Sequence, residues 1–394
     1  MFLPLYVIRF KIGPLPTTVL EIFILISFIG WFIYKISHKS LVDYAKSSIK
    51  CRWFWPILVW LIVTLIAVFI SPDRFGAFGY WRAFMLEPIL VFMMLASLIP
   101  LTALNKEGVE RKMLMFGIAV VTILLGIYAI VQYLTGWGIP SPWDAWPGRR
   151  ATGVFGFPNG LSLFMAPFGI ACFIEWLIPP APLNKGGVIA RWSFFSATIL
   201  AVVAEILAQS MGGILALGIG IVLALLIKKN TRKIGLVVTA IGLIAAGLVG
   251  YKILSTQLRS TDLNASLALN KKWSSMVRTV IWSESWELIK AHPLTGTGLR
   301  SYQTAIIPFH KATWMEIYPH PHNIILMLWI ETGPLGLLAF IWLCVAWVLA
   351  VKKNKNWIWI VPLIVILVHG MVDMPYFKND LAMQFWILAA LATL

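Results

Sequence analysis

Charge is scarce in this chain: only 12% of its 394 residues are Asp, Glu, Lys or Arg, while 60% are hydrophobic. A soluble globular protein carries about 25% charged residues, so a water-exposed surface of ordinary size is excluded. Cysteine is scarcer still. Of the 3 Cys, Cys172 and Cys344 lie in apolar runs and Cys51 sits in a basic cluster, which leaves no disulfide framework and no cysteine-based zinc site. Residues 1–16, with Arg9, Lys11 and two prolines, lack the apolar core and small-residue cleavage site of a secretory leader. Low-complexity tracts are absent. No internal repeat is visible, which disfavours transporter folds assembled from two similar halves.

Long apolar runs are abundant. A helix of about 20 apolar residues spans the hydrocarbon core, and such windows fall near 17–36, 55–71, 81–104, 113–135, 156–179, 192–209, 212–227, 234–253, 335–351, 357–371 and 381–394. The expectation is an all-α, polytopic helical membrane protein with about 11–12 transmembrane helices, forming one integral domain over residues 1–394. The +16 formal charge would suggest nucleic acid in a soluble protein; here it reads as topology. Seventeen Lys and Arg gather in alternate loops: Lys35, Lys39, Lys46, Lys50 and Arg52; Lys106, Arg111 and Lys112; Lys185 and Arg191; Lys228, Lys229, Arg232 and Lys233; Lys352, Lys353 and Lys355. The intervening short connections hold only Arg74, Arg149, Arg150 and Lys378, so the positive-inside rule puts these, and the N-terminus, outside.

One connection, between the eighth and ninth windows, is far longer than a turn requires. Residues 254–334 are therefore expected to form an external loop, with an amphipathic helix at about 275–290 that carries Arg278, Trp282, Trp286 and Ile289 on one stripe. Beside the helix, Thr295-Gly-Thr-Gly298 reads as a turn.

Ionisable groups near the outer side are few. Arg149 and Arg150 could grip a phosphate through charge-assisted hydrogen bonds, or equally contact lipid headgroups. Arg278 with Trp282 and Trp286 suits a phosphate-sugar, but also an ordinary interfacial helix. His322 could accept a proton from an attacking hydroxyl, or be a structural histidine. His320-Pro-His322 could be half of a metal site, yet that side shows no third His and no Asp-x-Asp pair to complete one, so no metal and no cofactor are expected. Within or near the windows lie Arg82, Glu87, Glu175, Glu205 and Lys252. Arg82 and Glu87, five residues apart, fall off a common α-helical face, which leaves their pairing unassigned. Glu205 and Asp373 read as helix-end or salt-bridge carboxylates that could also orient an imidazole.

Three blocks, Arg150-Ala-Thr-Gly-Val-Phe-Gly-Phe-Pro-Asn159, Arg278 to His292-Pro-Leu-Thr-Gly-Thr-Gly298, and His322-Asn-Ile-Ile-Leu-Met-Leu-Trp-Ile-Glu-Thr-Gly-Pro-Leu-Gly336, resemble the O-antigen ligase and polymerase superfamily in order and spacing. The resemblance implies a GT-C-like glycosyltransferase of a bacterial inner membrane, with its active site on the periplasmic side. It would move a glycan from an undecaprenyl-pyrophosphate carrier to an acceptor sugar, with inversion and without a metal, as ligase or polymerase. It implies His322 as base, Arg278 and Arg150 on the pyrophosphate, and Arg149, Trp282, Trp286, Asn323, Glu205 and Asp373 around the substrate. Where the family has Ser-Arg-Gly this chain has Ser210-Met211-Gly212. Besides donor and acceptor, the implied partners are membrane lipids, with no nucleic acid. The rival reading is a transporter or flippase for lipid-linked glycans, in which arginines and carboxylates line a path and no bond breaks.

Overall fold

A computed structural model describes residues 3–13, 15–38, 44, 51–102, 109–146, 148–178, 185–244 and 265–393. Lys39, Lys46, Lys50, Lys106, Lys252, Pro147 and the first part of the expected loop, 254–264, lie outside these. The chain is 77% helical, an all-α polytopic membrane protein. Its one small sheet is an antiparallel hairpin of β1 (Arg9–Ile12) and β2 (Leu15–Thr18).

Each of the eleven apolar windows lands on a helix: α1 (Val19–Ser37), α2 (Phe54–Ile70), α3 (Arg74–Trp81) continuing into α4 (Glu87–Thr102), α5 (Val109–Thr135), α6 (Pro158–Leu177), α7 (Lys185–Ala208), α8 (Met211–Ile227) and α9 (Lys229–Ile244) come first. After the helix α10 (Ala265–Ala291) and the single turn α11 (Tyr302–Ala305) follow α12 (Ile324–Asn354), α13 (Val361–Gly370) and α14 (Asn379–Ala392). Fewer of the described helices are long and apolar enough to cross alone than the eleven or twelve expected. Among the described residues six helices are long and apolar enough to cross a membrane, or seven if α8 and α9, bent by 108° at their junction, form one broken span. The others are short: the 14 residues of α14 rise about 21 Å against a hydrocarbon core of about 30 Å.

α6 is the axis of the bundle, with 83% of its apolar window buried against 28–44% for the five other long helices. It packs on α7, α8, α13 and α14. Small residues allow the close approach that lipid-embedded helices rely on: a Cβ on Gly169 would stand 2.5 Å from the Ala201 methyl.

Two departures from regular helix account for what hydropathy misplaced. Between α3 and α4, Arg82–Leu86 forms a π-helical turn in which the Glu87 N–H reaches the Arg82 carbonyl. The extra residue per turn brings residues five apart into line, so Arg82 Nε meets Glu87 Oε1 at 3.2 Å and the pair left unassigned from α-helical spacing is formed. Arg82 Nη2 also meets Glu21 Oε2 at 2.7 Å. Glu21 is the third residue of α1 and completes a capping box with Thr18, and its Oε1 accepts from Asn379 Nδ2 at 3.2 Å. One carboxylate thus ties the starts of α1 and α14 to the π turn.

The second departure lies in α12. Pro334 has no N–H to donate, and Gly333 breaks the helix at φ 67° and ψ −178°. The expected window at 335–351 is only the second half of this element; its first half, Ile324–Thr332, had been assigned to the loop. The Thr295–Gly298 turn docks at this break: Thr297 N–H donates to the Ile330 carbonyl at 2.7 Å, and Leu299 N–H to Ala67 of α2 at 3.0 Å. Gly298, at φ 93°, lies so close to α2 that a Cβ would sit 2.4 Å from Ser71 Cα. Nothing larger than glycine fits there.

α10 is longer than the helix expected at 275–290. Its Leu288 and Ile289 join Tyr302, Ile306, Met327, Ile330 and Met374 in a small second core, which seats the long connection on the first half of α12. Glu284, buried beneath it, accepts from the backbone N–H of Lys311 at 2.8 Å and lies 3.0 Å from His310 Nδ1.

The connections sort to two ends of the bundle. At one end Arg52 donates to the Leu349 carbonyl at 2.7 Å, Arg111 pairs with Glu175 and covers the Trp359 ring, and Asn354 reaches the Thr393 carbonyl at 2.6 Å. Arg150, Arg278, His322 and Asp373 are linked to one another at the other end.

Candidate active site

Four stretches of chain meet at the second end: 150–159, α10 near residue 278, 318–323 and 371–374. The first is pinned from behind. Ala151 N–H donates to the last turn of α7 at 2.9 Å, and the Thr152 and Gly153 N–H groups donate to Gln132 Oε1 of α5 at 3.1 and 2.7 Å. Pro158 then begins α6, its missing N–H costing nothing at a first helical position, and Asn159 stands in the first turn.

A continuous hydrogen-bonded line runs from there. Arg150 Nε donates to the Ala208 carbonyl at 2.8 Å, and Nη2 donates to Asn159 Oδ1 at 3.3 Å. Asn159 Nδ2 donates to Asp373 Oδ2 at 2.6 Å, and the other carboxylate oxygen faces His322 Nδ1 at 3.3 Å. Met374 N–H donates to that same Oδ1 at 2.9 Å. Arg278 closes the site from α10, its Nε donating to the Val372 carbonyl at 3.0 Å. Four stretches of chain therefore converge on one imidazole.

The backbone sets that imidazole deliberately. Asn323 caps α12, its Oδ1 accepting from the N–H groups of Ile325 and Leu326, while its Nδ2 donates to the Met371 carbonyl at 3.0 Å. Trp282 Nε1 donates to the Pro321 carbonyl at 3.0 Å. Between these two holds His322 takes φ 49°, a left-handed conformation that a non-glycine residue keeps only when its surroundings impose it. The side chain of His322 retains 18% of its surface and that of Asp373 only 3%, so the imidazole is the member a substrate can touch.

Electrostatics follow from this packing. Burial by itself would raise the Asp373 carboxyl, but the hydrogen bond and charge of His322, helped by His320 and His369, outweigh it and hold Asp373 well below the carboxylate range. Arg150 is lowered by burial first and then by the nearby Arg278 cation. Two guanidiniums held near one another, with one ionised carboxylate between them and the imidazole, make an anion-receptive site. His320, whose ring centroid lies 4.5 Å from that of His322, is pushed down to about 4, mainly by burial.

Not every residue singled out in the sequence joins this line. Arg149 turns away: it donates to the carbonyls of Asp144 and Tyr133, both at 3.1 Å, and lies over Trp146, which staples the loop before the site. Trp286 packs edge-on against Trp329 at 6.0 Å between centroids. Glu205 is 1% exposed and bonds Ser162 beside Gly213. Met211, at the position of the family arginine, is 59% exposed in the first turn of α8. Asn159, Gln132 and Tyr318, the last edge-on to His322 at 5.4 Å, were not picked out; an Asn directly after the first proline of a helix was the available signal for Asn159. The expectation of no metal rested on the lack of a third His or an Asp-x-Asp pair, and a lone carboxylate stands beside the two imidazoles instead. Ligand atoms of His320, His322 and Asp373 all lie within 4.8 Å of one another.

Residues 196–341 match the family model for O-antigen ligase. That segment, a little over a third of the chain, is similar to the O-antigen ligase family. It is 24% identical over 325 residues to an O-antigen ligase of Salmonella typhimurium, covering 79% of this chain and 72% of that one. It is 27% identical over 158 residues to a "putative polysaccharide ligase" of Rickettsia conorii, an alignment covering 38% of each chain. A Rickettsia felis protein of the same description is 27% identical over 159 residues, 39% of this chain and 36% of that one. The chain thus spans little over a third of the length of the two Rickettsia relatives. The matched segment contains Arg278 and His322, while Arg150, Asn159 and Asp373 lie on either side of it.

Proposed function

We propose that this protein transfers a glycan from an undecaprenyl-pyrophosphate carrier to an acceptor hydroxyl on the outer face of a bacterial inner membrane, as an O-antigen ligase or polysaccharide polymerase. What supports the reading most is the line Arg150–Asn159–Asp373–His322 closed by Arg278, which puts two cations and an oriented base at one end of a membrane bundle. The asymmetry of the seventeen Lys and Arg supports the outward orientation of that end.

The chemistry divides between the two kinds of group. As the anomeric bond breaks, negative charge accumulates on the departing pyrophosphate, and preorganised guanidiniums at Arg150 and Arg278 stabilise it more than they stabilise the bound donor. On the opposite face of the sugar, His322 Nε2 takes the proton of the attacking hydroxyl. Asp373, accepting from Nδ1–H, holds the tautomer with its lone pair on Nε2 and stabilises the imidazolium as it forms. Attack from that face inverts the anomeric centre, and no step requires a metal. Trp282 and Asn323 fix the backbone around His322; Arg149, Trp286 and Glu205 support the walls of the site through the contacts described above.

The test is transfer by purified protein in lipid nanodiscs, given lipid-pyrophosphate glycan and candidate acceptors, with release of the lipid carrier followed in chelator. His322→Ala should abolish release while the protein remains folded by its thermal transition. Undiminished transfer by that variant would remove the proposed base.

A further inference from the structure

We propose that His320, His322 and Asp373 form a binding site for one borderline transition-metal ion, zinc being the type case, and that its occupation switches the transferase off. The second half of this inference rests on the function proposed above; the first does not.

The geometry comes first. His322 Nδ1 and Asp373 Oδ1 are 3.3 Å apart, long for a charge-assisted hydrogen bond. That separation is the one expected of two ligands on a tetrahedral zinc ion: bonds of about 2.0–2.1 Å put ligand atoms about 3.3 Å from one another. All three ligand atoms lie within 4.8 Å of one another, so no gap exceeds the tetrahedral spacing by more than about 1.5 Å. His320 Nδ1 is buried and has no hydrogen-bond partner, a lone pair or N–H that the protein otherwise leaves unused. Two imidazoles, one carboxylate and an open fourth position form the donor set of an accessible zinc site.

Charge narrows the choice of ion. Asp373 is the carboxylate in direct contact, while the Arg278 and Arg150 guanidiniums border the same loop and repel cations. Hard ions such as magnesium and calcium, which need several oxygen ligands, are disfavoured; an ion that bonds neutral imidazole is not.

Occupation and base catalysis exclude one another whichever ring nitrogen binds. An ion on Nε2 takes the lone pair directly. An ion on Nδ1 displaces the proton that Asp373 holds there and leaves the ring protonated at Nε2, a donor where an acceptor is required. Because His320 belongs to no step of the transfer, removing it separates the two roles.

The test uses full-length, untagged protein in nanodiscs, freed of metal. Cobalt titration should give visible bands of tetrahedral character at one ion per chain, bleached by zinc and untouched by magnesium. His320→Ala should lose the bands and retain transfer, with the zinc concentration that halves activity rising more than about 100-fold, beyond the 10–100-fold typical of second-shell losses. His320→Asn, which keeps a polar side chain, serves if the alanine variant fails to fold. Absence of cobalt bands in the wild type, or unchanged bands in both variants, would overturn the site. Bands without transfer in any variant would leave the metal site standing and sink the proposed function; transfer without bands would do the reverse.

Discussion

Asp373→Asn isolates the carboxylate from its volume. In the native site Oδ2 accepts from Asn159 Nδ2 at 2.6 Å while Oδ1 accepts from Met374 N–H and faces His322 Nδ1. A carboxamide has one acceptor oxygen and one donor NH2. With the NH2 toward Asn159 it opposes another donor and breaks the line to Arg150; with the NH2 toward His322 it drives the imidazole to the tautomer protonated at Nε2. Both arrangements cost the base its lone pair or its placement. A positioned general base contributes about 10²–10⁴-fold, so kcat should fall by that factor, equivalent to about 2.7–5.4 kcal/mol of transition-state stabilisation. Donor binding should change far less, because Arg278 keeps its own hold on the Val372 carbonyl. The assay is single-turnover release of lipid carrier at saturating donor, in chelator, with donor affinity measured separately on the same variant and folding checked by thermal transition. A kcat within twofold of wild type, or a loss confined to donor affinity, would refute the assignment of Asp373 as the residue that positions His322.

Two further outcomes follow from the frame around the site. Gly298→Ala forces a Cβ to 2.4 Å from Ser71 Cα at φ 93°, and should destabilise by at least about 1–3 kcal/mol, read as a lowered thermal transition and faster proteolysis within 292–310; an unchanged transition would remove the turn from its docking role. His310 titrates above its ordinary value, chiefly through its hydrogen bond to Glu284, so the anchor is complete below the unfolded-state pKa and is lost as pH rises through the raised one. Hydrogen exchange at residues 310–316, after correction for intrinsic rates, should accelerate on the alkaline side of that value in the wild type but show no such step in His310→Gln.

Each apolar window fell on a helix because lipid imposes one rule on all of them. What hydropathy misplaced came from local breaks. The π turn at Arg82–Leu86 and the Gly333-Pro334 break depend on backbone hydrogen bonds that a residue count cannot reveal. At the site, Arg150, Arg278 and His322 were picked out from residue type, spacing and resemblance, but the partner of the imidazole stayed open between Glu205 and Asp373, because Asp373 lies 51 residues further on, across the whole of α12 and α13. Adjacent arginines illustrate the same limit. Arg149 donates to the Asp144 carbonyl and staples a loop, while its neighbour Arg150 reaches Asn159. Glu205 could be read equally as orienting a base or closing a helix end, and its bond to Ser162 is decided by α6–α7 packing alone.

The bond between Asn323 and the Met371 carbonyl has a bearing on biogenesis. Ribosomes deliver Arg150 and His322 before Asp373, so in a nascent chain halted between them the imidazole has neither the carboxylate nor the Met371 carbonyl to fix it. Under the proposed function, the base would be oriented only once the closing helical pair packs onto the bundle.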